Sequence, residues 1–274
     1  MSLSASDLDY VREVVREHSA IVLDDSKAYL VESRLTPIAR RSGSGDLGEF
    51  IARLRSDRTG RLRDVVVDAM TTNETSFFRD PGLWRALERS ILPALIERRR
   101  PQQALNVWCG AASSGQEPYS LAMLLVEQFP TVVRDWNLRI IATDLSADML
   151  GRAAAGRFSQ LEVNRGLAAP RLVRHFERDG TDWRISEQLR QMVEFRALNL
   201  AEPWPFVPQI DVLFLRNVLI YFEHQTKQEI LARCRTVLRP DGHLILGTSE
   251  TTLNIDDRYE RVVTDGATTY RPRP

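Results

Sequence analysis

The first 70 residues repeat apolar and charged positions with the period of an α-helix. Residues 7–19 (DLDYVREVVREHS) put their apolar side chains on one face and their charged side chains on the other. A second helix is predicted from Ser26, a favoured N-cap type, to Gly43, which suits the C-terminal cap, and Pro37 predicts a kink or break inside it. Two further short helices are predicted at 46–57 and 60–70, with no strand pattern before residue 104.

From residue 104 onward, short apolar runs alternate with amphipathic stretches. The predicted strands are residues 104–110, 138–144, 193–199, 211–217 and 243–247, with 267–272 as an antiparallel partner. The predicted helices are residues 117–129, 146–156 (capped by Ser146) and 227–238, the last one closed by the turn sequence RPDG at 239–242. Strands that alternate with helices in this way predict a parallel sheet with helices on both faces.

One region does not follow this alternation. Between the predicted helix ending at Gly156 and the strand starting at Val193, the stretches RLVRHFER (171–178) and TDWRIS (181–186) flank a turn at Asp179-Gly180. Two short strands around such a turn predict a small β-hairpin. We interpret the region as an insertion on the sheet.

Composition and charge narrow the classes of protein that fit. The 274 residues suffice for one large domain or two ordinary ones, and 43% hydrophobic with 27% charged residues is typical of a soluble globular protein. The 37 basic and 37 acidic residues balance, so no net charge draws the chain to nucleic acid or to a membrane surface. No apolar run approaches the roughly 20 residues that span a bilayer, and the charged N-terminal residues predict that there is no signal peptide.

The cysteines and one short motif bear on the compartment. Cys109 and Cys234 form no CxxC motif and no disulfide framework, which indicates a reducing cytosol. The stretch TTNETSFFRD (71–80) contains a glycosylation acceptor at Asn73, and a cytosolic location excludes that use. The stretch is also typical of a helix start before Pro81. Neither interpretation accounts for its two phenylalanines and its arginine.

The predicted helices between residues 26 and 63 carry an excess of positive charge. This stretch contains nine basic and four acidic residues, although the whole chain is neutral. Most charge runs are solvated helix faces, and composition favours that interpretation. The alternative is a docking surface for an acidic partner. The basic residues are Lys27, Arg34, Arg40, Arg41, Arg53, Arg55, Arg58, Arg61 and Arg63.

The loop after the first predicted strand, WCGAASSGQEP (108–118), is a candidate ligand site. Gly110 and Gly115 allow close approach of a ligand to the backbone, and the helix that follows offers N–H groups. The loop is neither a G-x-G-x-x-G fingerprint nor a Walker loop, which disfavours a phosphate site. The spacing of Ser114 and Glu117 also fits a capping box, so an ordinary helix start is the alternative.

Polar residues also follow the next predicted strands. Asp144 ends the second strand, where an acid accepts hydrogen bonds from ribose hydroxyls; helix capping is its alternative, although Ser146 suits that task. Asn199–Leu200 ends the third strand and Arg216–Asn217 the fourth. Because ligands of open α/β sheets bind at the carboxyl ends of the strands, four polar ends together predict a nucleoside site.

A nucleoside site without a phosphate loop favours S-adenosylmethionine over a nicotinamide cofactor. Its sulfonium methyl group is already activated, so a carboxylate acceptor needs alignment and exclusion of water rather than a general base. The lack of any Ser-His-Asp or Cys-His constellation agrees with this chemistry. No metal-ligand spacing links the histidines, which we interpret as ordinary surface or core residues: His18, His175, His224 and His243.

The chain resembles a known family, the CheR-type chemotaxis receptor methyltransferases. These enzymes esterify glutamates on the cytoplasmic helices of bacterial chemoreceptors. The motifs that carry the resemblance run in family order over nearly the whole chain, and only their combination is specific. They are TTNETSFFRD (71–80), VWCGAASSGQEPYSLAM (107–123), IIATDLS (140–146), ALNL (197–200), FLRNVLIYF (214–222) and GTSE (247–250).

The resemblance implies an α/β fold with three parts. It implies a small all-helical N-terminal domain for receptor docking (1–70) and a linker and helix that close over the cofactor (71–100). A Rossmann-like class I methyltransferase domain (101–274) follows, with a small antiparallel β-subdomain inserted at 157–192. Phe77 and Phe78 are then expected to be packing residues that fix the linker.

The resemblance also implies roles for individual residues. Arg79 and Tyr221 are expected nearest the methyl group and the incoming carboxylate, Arg79 as a positioning residue. A core tyrosine with a satisfied hydroxyl is the alternative for Tyr221. The residues expected to bind S-adenosylmethionine, with S-adenosylhomocysteine as product, are Asn73, Thr75, Arg79, Glu117, Asp144, Asn199, Leu200, Arg216 and Asn217.

The implied partner is the acidic cytoplasmic domain of a methyl-accepting chemoreceptor. Arg34 and Arg40 match arginines of the family's docking helix, whereas Pro37 and Ile38 stand where some relatives have further arginines. The insertion is a few residues shorter than in members that bind a receptor C-terminal pentapeptide, so we expect independence of that pentapeptide. We further expect a cytoplasmic monomer located at receptor arrays, without nucleic-acid binding or membrane insertion.

Two other functions fit parts of the pattern. One is a methyltransferase of the same fold acting on nucleic acid or a small molecule, and the neutral charge and the sequence RNVLIYF in place of an N-P-P-Y-like motif disfavour nucleic acid. The other is a non-catalytic module that binds S-adenosylmethionine and only signals. The retained set of polar strand ends disfavours this second alternative.

Overall fold

The chain divides into two compact units in the computed structural model. The described residues are 3–24, 27–205 and 207–273. The helical unit comprises residues 1–72 and 221–226, and the sheet unit comprises residues 73–220 and 227–274. Within the described ranges, no helix combines the length and the apolar character that crossing a membrane requires.

Four amphipathic helices form the helical unit, as the periodicity predicts. They are α1 (Ala5–Ser19), α2 (Ala28–Arg41), α3 (Leu47–Ser56) and α4 (Arg61–Met70). Side-chain caps fix two of the starts. The hydroxyl of Ser4 accepts a hydrogen bond from the backbone N–H of Asp7, and the carboxylate of Asp46 accepts one from Glu49. Apolar residues of all four helices form one core around Phe50, which is fully buried.

The predicted break at Pro37 is wrong, because α2 continues from Ala28 to Arg41. Buried residues before and after the proline pack into the core of the unit, and this packing outweighs the hydrogen bond that proline cannot donate. The helix ends at Arg41, two residues before the predicted Gly43, whose φ of 75° lies in the left-handed region. The predicted N-cap Ser26 lies outside the described residues.

Ten strands in two sheets lie in the described part of the sheet unit. They are β1 (Ala104–Gly110), β2 (Asn137–Asp144), β3 (Arg157–Phe158), β4 (Phe176–Asp179), β5 (Asp182–Ile185), β6 (Val193–Ala197), β7 (Ile210–Leu215), β8 (Leu238–Leu246), β9 (Tyr259–Thr264) and β10 (Ala267–Pro272). The large sheet has the order β6-β2-β1-β7-β8-β10-β9. Its first five strands are parallel, and β10 is antiparallel to both of its neighbours. Every residue of β7 is buried, as expected for a central strand covered on both faces.

Helices cover this sheet and connect its strands. The helices are α5 (Pro81–Ala86), α6 (Leu92–Arg99), α7 (Gln116–Gln128), α8 (Pro130–Asp135), α9 (Ala147–Ala155), α10 (Gln160–Asn164), α11 (Ala169–His175), α12 (Glu187–Gln191) and α13 (His224–Val237). α7 and α9 pack against β2 and β6, and α6 packs against β1. A π-helical turn at Leu87–Ile91 joins α5 to α6, and a 3₁₀ turn at Leu219–Tyr221 follows β7.

The insertion contains the predicted hairpin together with a third strand. Its small antiparallel sheet has the order β3-β5-β4. Asp179 pairs with Asp182, so Gly180 and Thr181 form the turn, one position later than predicted. Residues 171–175 are wrongly predicted as strand, because they belong to α11. In a helix, Arg171 and His175 lie on one face, and both reach the carboxylate of Glu127.

The far end of the large sheet also differs from the prediction. The RPDG sequence at 239–242 does not close a helix as a turn but lies inside β8. Between the pairs Ile210–Leu238 and Val212–His243 the register of the two strands shifts, so this sequence bulges from the ladder. Arg99 donates to the carboxylate of Asp241 and so holds the bulge. The antiparallel partner β10 is confirmed, and the hairpin strand β9 is absent from the sequence prediction.

Candidate functional site

The loop after β1 meets the end of β2 at a buried carboxylate. The N–H of Ser113 donates to one oxygen of Asp144 at 2.7 Å, and the N–H of Ser146 donates to the other at 2.9 Å. Asp144 is only 6% exposed. Two backbone donors therefore fix the orientation of this acid at the carboxyl edge of the sheet. Capping of α9 falls to Ser146, whose hydroxyl accepts from Met149, as the sequence suggests.

The capping-box alternative for the start of α7 is wrong. The N-cap is Gly115 without a side-chain cap, and the hydroxyl of Ser114 donates to the side chain of Gln116 at 2.9 Å. Gly115 has a φ of 91°, and a Cβ atom there would approach Ala153 to 3.0 Å, so both backbone and space favour glycine. The carboxylate of Glu117 is consequently not used as a cap.

Glu117 instead pairs with Arg216 from the end of β7. One guanidinium nitrogen of Arg216 donates to Glu117 at 2.8 Å, and another donates to the carboxylate of Asp80. The Arg216 side chain is 3% exposed, and its Nε has no hydrogen-bond partner among the described residues. Burial raises the pKa of Glu117 above its ordinary value, and the positive charge of Arg216 opposes that rise. Three elements thus meet at one buried cation.

A second carboxylate, Glu250, organises the loop after β7. Its two oxygens accept hydrogen bonds of 2.7–2.9 Å from the backbone N–H groups of Asn217, Val218, Leu219 and Gly247. Asn217 has a φ of 59°, and a Cβ atom on Gly247 would lie 2.7 Å from the Glu250 carboxylate. Sequence reasoning missed this role of Glu250. The available signal was an acid three residues after the glycine of the GTSE motif.

The segment 73–80 connects to the same edge of the sheet. The hydroxyl of Ser113 donates to the carbonyl of Asn73 at 2.9 Å, which ties the segment to the loop that holds Asp144. The carbonyl of Arg79 accepts from the indole N–H of Trp84 at 2.9 Å, and the Arg79 side chain is half-buried. Thr75 is also half-buried. Asp80 precedes α5 with a φ of 63°.

Both phenylalanines of the segment are packing residues, which confirms that expectation. Phe77 is fully buried and Phe78 is 7% exposed. The Phe78 ring lies edge-on to Trp84 with centroids 5.2 Å apart, and its N–H donates to the hydroxyl of Ser120 on α7 at 3.0 Å. The segment is therefore anchored at its centre, and polar residues lie on either side of the anchor.

The residues after β6 form a tight turn. The side-chain oxygen of Asn199 accepts from the N–H of Ala201 at 3.0 Å, and its amide nitrogen donates to Glu202. Leu200 is 6% exposed, and its methyl group lies 3.8 Å from the position of a Cβ atom on Gly110 at the end of β1. Leu200 thus offers an apolar wall beside the first strand, next to an amide side chain.

Three predicted residues belong to the helical unit. Tyr221 lies there, and its carbonyl accepts from the N–H of Val22 at 2.9 Å. The Arg34 guanidinium donates to the carbonyls of Ala69 and Thr71 at the end of α4, at 3.3 and 2.8 Å. Arg40, in the last turn of α2, is exposed. Arg34 thus supports its own unit in addition to any contact with a partner.

A cleft of about 350 Å³ opens in the sheet unit beside the buried arginine. Its lining includes Asp80, Arg216, Gly247, Glu250 and Tyr270. The carboxylates of Asp80 and Glu250 and the guanidinium of Arg216 therefore border this cleft.

These residues fit a nucleoside cofactor that carries an amino-acid end. Asp144 is held by two backbone N–H groups at the carboxyl end of β2, where a carboxylate suits the hydroxyls of a ribose. Glu117 offers a second acid for a cationic amino group, and Leu200 offers an apolar surface for a base. A site of this kind on a seven-stranded sheet with one reversed strand defines the S-adenosylmethionine-dependent methyltransferases of Rossmann-like class I.

Family models assign the chain more closely. Residues 6–71 match the model described as "CheR methyltransferase, all-alpha domain", and residues 73–267 match "CheR methyltransferase, SAM binding domain". The chain belongs to the CheR methyltransferase family, and its cofactor is S-adenosylmethionine. The expected fold class, a helical domain before a class I methyltransferase domain with a β-insertion, is confirmed.

Curated relatives agree along the whole length of the chain. The chain is 41% identical over 276 residues to "Chemotaxis protein methyltransferase 1" of Pseudomonas aeruginosa, which covers 100% of both proteins. It is 39% identical to "Chemotaxis protein methyltransferase Cher2" of Pseudomonas putida, covering 96% of each. It is 33% identical to "Chemotaxis protein methyltransferase" of Escherichia coli, covering 94% of this chain and 89% of that protein.

Proposed function

We propose that this protein transfers a methyl group from S-adenosylmethionine to glutamate side chains in the cytoplasmic domain of a chemoreceptor. The product is a glutamyl methyl ester, formed for chemotactic adaptation, together with S-adenosylhomocysteine. The observation that carries the proposal is a set of three hydrogen-bonded acids: Asp144 at the end of β2, Glu117 in the first turn of α7 and Glu250 in the loop after β8. They occur in a chain whose full-length relatives are named chemotaxis protein methyltransferases.

The cofactor-binding roles follow from the chemistry of each group. Asp144 accepts the ribose hydroxyls, and Asn199 with Leu200 lies beside the adenine as an amide and an apolar wall. Glu117 accepts hydrogen bonds from the cationic amino group, with Arg216 fixing its carboxylate. Asn217 shapes the loop after β7. In the segment 73–80, Asn73, Thr75 and Arg79 also contact the cofactor.

The methyl transfer itself needs positioning more than acid–base work. When bound, S-adenosylmethionine supplies a methyl group on a positively charged sulfur, which a carboxylate attacks directly. Arg79 orients that carboxylate, since a guanidinium pairs with a carboxylate in a planar, two-point geometry. A role for the Tyr221 hydroxyl in the reaction stays a prediction of the family resemblance. The buried edge of the sheet excludes water, which would otherwise solvate the attacking carboxylate.

The helical unit docks the receptor in this proposal. Arg34 and Arg40 lie on α2, and Arg40 is exposed in its last turn, where a positive charge can meet an acidic receptor helix. Arg34 also donates to two carbonyls of α4, so it contributes to the shape of the docking surface as well as to its charge. The whole protein acts as a monomer in the cytoplasm, at receptor arrays.

Receptor recognition is further proposed to be independent of a C-terminal pentapeptide. The hairpin between β4 and β5 turns through only two residues, Gly180 and Thr181. Such a turn leaves no long loop over the small sheet. A receptor fragment without the pentapeptide is therefore a sufficient substrate, and saturable calorimetric binding of a free receptor-tail peptide to this protein would contradict this part of the proposal.

The test of the function offers labelled S-adenosylmethionine to the purified protein with one acceptor at a time. The acceptors are a receptor cytoplasmic fragment without a pentapeptide, the same fragment with one, duplex DNA and structured RNA. We expect label on both receptor fragments, released by mild base, and none on nucleic acid. Label on nucleic acid, with a steep dependence on salt, would indicate the alternative substrate class. Cofactor binding without transfer to any acceptor would indicate a regulatory module.

A further inference from the structure

The insertion (157–192) packs against the segment 73–80 through an aromatic cluster. The Phe77 ring packs edge-on against Phe158 of β3, with centroids 5.0 Å apart, and against Phe176 of β4 at 5.6 Å. The Phe158 and Phe176 rings also contact each other. Because Phe77 is fully buried, the centre of the segment forms part of the core of the small sheet rather than a free loop.

A backbone hydrogen bond and an ion pair also join the segment to the insertion. The N–H of Phe77 donates to the carbonyl of Arg165 at 3.1 Å, and the Arg165 side chain pairs with Glu74. A Cβ atom on Gly166 would lie 1.9 Å from the carbonyl oxygen of Phe77, and Gly166 has a φ of 90°. Both the close approach and the backbone conformation require glycine there.

Arg171 of α11 supplies the contact that is most specific to the segment. Its guanidinium carbon lies 3.9 Å from the centroid of the Phe78 ring. The same guanidinium donates three hydrogen bonds to the carboxylate of Glu127 of α7, the shortest at 2.8 Å, and His175 contacts that carboxylate at 2.9 Å. Burial raises the pKa of Glu127, but the hydrogen bonds from Arg171 and His175 outweigh this effect, so that its pKa is lowered. The anchored arginine is thus a fixed platform for Phe78.

We propose that the insertion sets the position of the segment 73–80 for cofactor binding, with Arg171 as the positioning residue that links the two. The inference rests on the proposed function, in which Asn73, Thr75 and Arg79 contact S-adenosylmethionine. Those three residues flank the two phenylalanines that the insertion holds. The insertion therefore has a part in the cofactor site in addition to any part in binding the receptor.

The physical reason is preorganisation. A segment outside regular secondary structure loses conformational entropy when a ligand orders it, and this loss weakens binding. Contacts that already hold Phe77 and Phe78 reduce the loss, so S-adenosylmethionine meets a formed surface. Coupling of this kind is reciprocal, and the cofactor in turn stabilises the contacts between the segment and the insertion.

A matched pair of arginines in the insertion allows a sharp test. Arg178 stacks over Trp183 at 4.1 Å, as Arg171 does over Phe78, and its hydrogen bonds go to Thr181 and Gln160 rather than to the segment. The variants are R171A, R171K and R178A, with D144A as the reference for the cofactor site itself. Calorimetry gives the dissociation constant for S-adenosylmethionine, hydrogen exchange reports the amides of residues 73–80, and methyl transfer to a receptor fragment gives kcat and KM.

We expect R171A to weaken cofactor affinity by about threefold to thirtyfold and to speed exchange of the segment amides, with kcat at saturating cofactor within about twofold. R171K keeps a positive charge next to Glu127 but loses the planar contact with Phe78, so we expect its cofactor affinity to lie between those of the wild type and R171A. If R171A does not fold, R171K provides the test. R178A is expected to match the wild type. Equal effects of R171A and R178A, or unchanged affinity in both R171A and R171K while D144A binds weakly, would overturn the inference. No cofactor binding by the wild type, or full binding by D144A, would overturn the proposed site and the inference with it.

Discussion

The guanidinium of Arg216 donates a 2.8 Å hydrogen bond to the carboxylate of Glu117, across 99 positions of sequence. The same guanidinium bonds Asp80, so a single buried cation serves two carboxylates. Arg216 follows β7, Glu117 lies in the first turn of α7, and Asp80 precedes α5. The charge of Arg216 thus joins the three chain segments that border the proposed methionine end of the cofactor.

We expect that removal of the Arg216 charge lowers the free energy of unfolding by more than the loss of a surface ion pair does. The variant R216M leaves the buried Glu117 carboxylate without its partner, and we expect a loss of about 3–5 kcal/mol in the free energy of unfolding, measured by urea titration. R216K keeps a charge that cannot bridge both acids in one plane, and its loss should be smaller. The control is R134M, since Arg134 pairs with its neighbour Asp135 on the surface and its loss should leave the free energy of unfolding nearly unchanged. Equal effects of R216M and R134M would contradict the proposed pairing.

The ribose assignment of Asp144 predicts a loss of cofactor affinity. D144A removes the acceptor of two backbone N–H groups together with the proposed partner of the ribose hydroxyls. We expect S-adenosylmethionine to bind more weakly by about 1–3 kcal/mol in calorimetry, and D144N, which keeps an acceptor oxygen, to lie in between. The control is D148A, because Asp148 is exposed on the helix that follows β2. Unchanged affinity in D144A would refute the assignment.

His243 predicts a pH dependence of stability that is separate from the site. Its Nε2 accepts from Arg271, so its Nδ1 carries the proton and donates to Thr269, both at 2.9 Å. Burial, then the nearby charges of Arg271 and Arg98, lower the pKa of His243 to about 4, although Asp241 opposes them. As the pH falls, the unfolded chain therefore takes up this proton before the folded protein does.

The free energy of unfolding therefore falls as this histidine is protonated. The contribution of His243 to stability is complete above its ordinary pKa of 6.5 and is lost as the pH falls from there towards 4. The shift corresponds to about 3 kcal/mol of unfolding free energy. Urea titrations at several pH values measure it in the wild type and in H243Q, whose amide can make both hydrogen bonds without titrating. We expect the decline between pH 6.5 and 4 to be smaller in H243Q by about that amount. Parallel declines would contradict the assignment.

Receptor docking is best tested at Arg40 alone. R34E would also remove the hydrogen bonds to the end of α4, so its effects on docking and folding would be mixed. R40E is expected to lower the rate of receptor methylation by about threefold to tenfold at low salt, with the difference shrinking as salt rises, and to leave cofactor affinity unchanged. R134E, at an exposed position of the sheet unit, is the control. A loss of cofactor affinity in R40E, or an equal loss of rate in R134E, would contradict docking through α2.

Most of the large sheet could be predicted from sequence, because parallel strands covered on both faces are continuous apolar runs such as Ile210–Leu215. Local signals misled where distant contacts decide the structure. Pro240 and Gly242 are typical of a turn, yet they lie in a bulge of β8 that Arg99 holds from 142 positions away. The turn sequence at Asp179-Gly180 led to a strand prediction for residues 171–175, but they form a helix that brings Arg171 and His175 to Glu127.

The candidate site shows the same division. The polar strand ends were visible because they follow recognisable strands, and Asp144 illustrates this. The role of Glu250 was missed, because its partners are backbone N–H groups, and the GTSE motif alone does not show which groups this acid bonds. Nor does periodicity indicate which acids pair with Arg216, because the pairing depends on how one strand end and two helix starts meet in space.

The measurement that tests the central claim most directly is mass-spectrometric mapping of a receptor cytoplasmic fragment after incubation with the protein and isotopically labelled S-adenosylmethionine. We predict labelled methyl groups on glutamate side chains, lost on mild base treatment, and fewer of them when D144A replaces the wild type at the same subsaturating cofactor concentration. Base-stable methyl groups on lysine, arginine or asparagine would contradict it, as would an unmodified receptor in the presence of a protein that binds the cofactor.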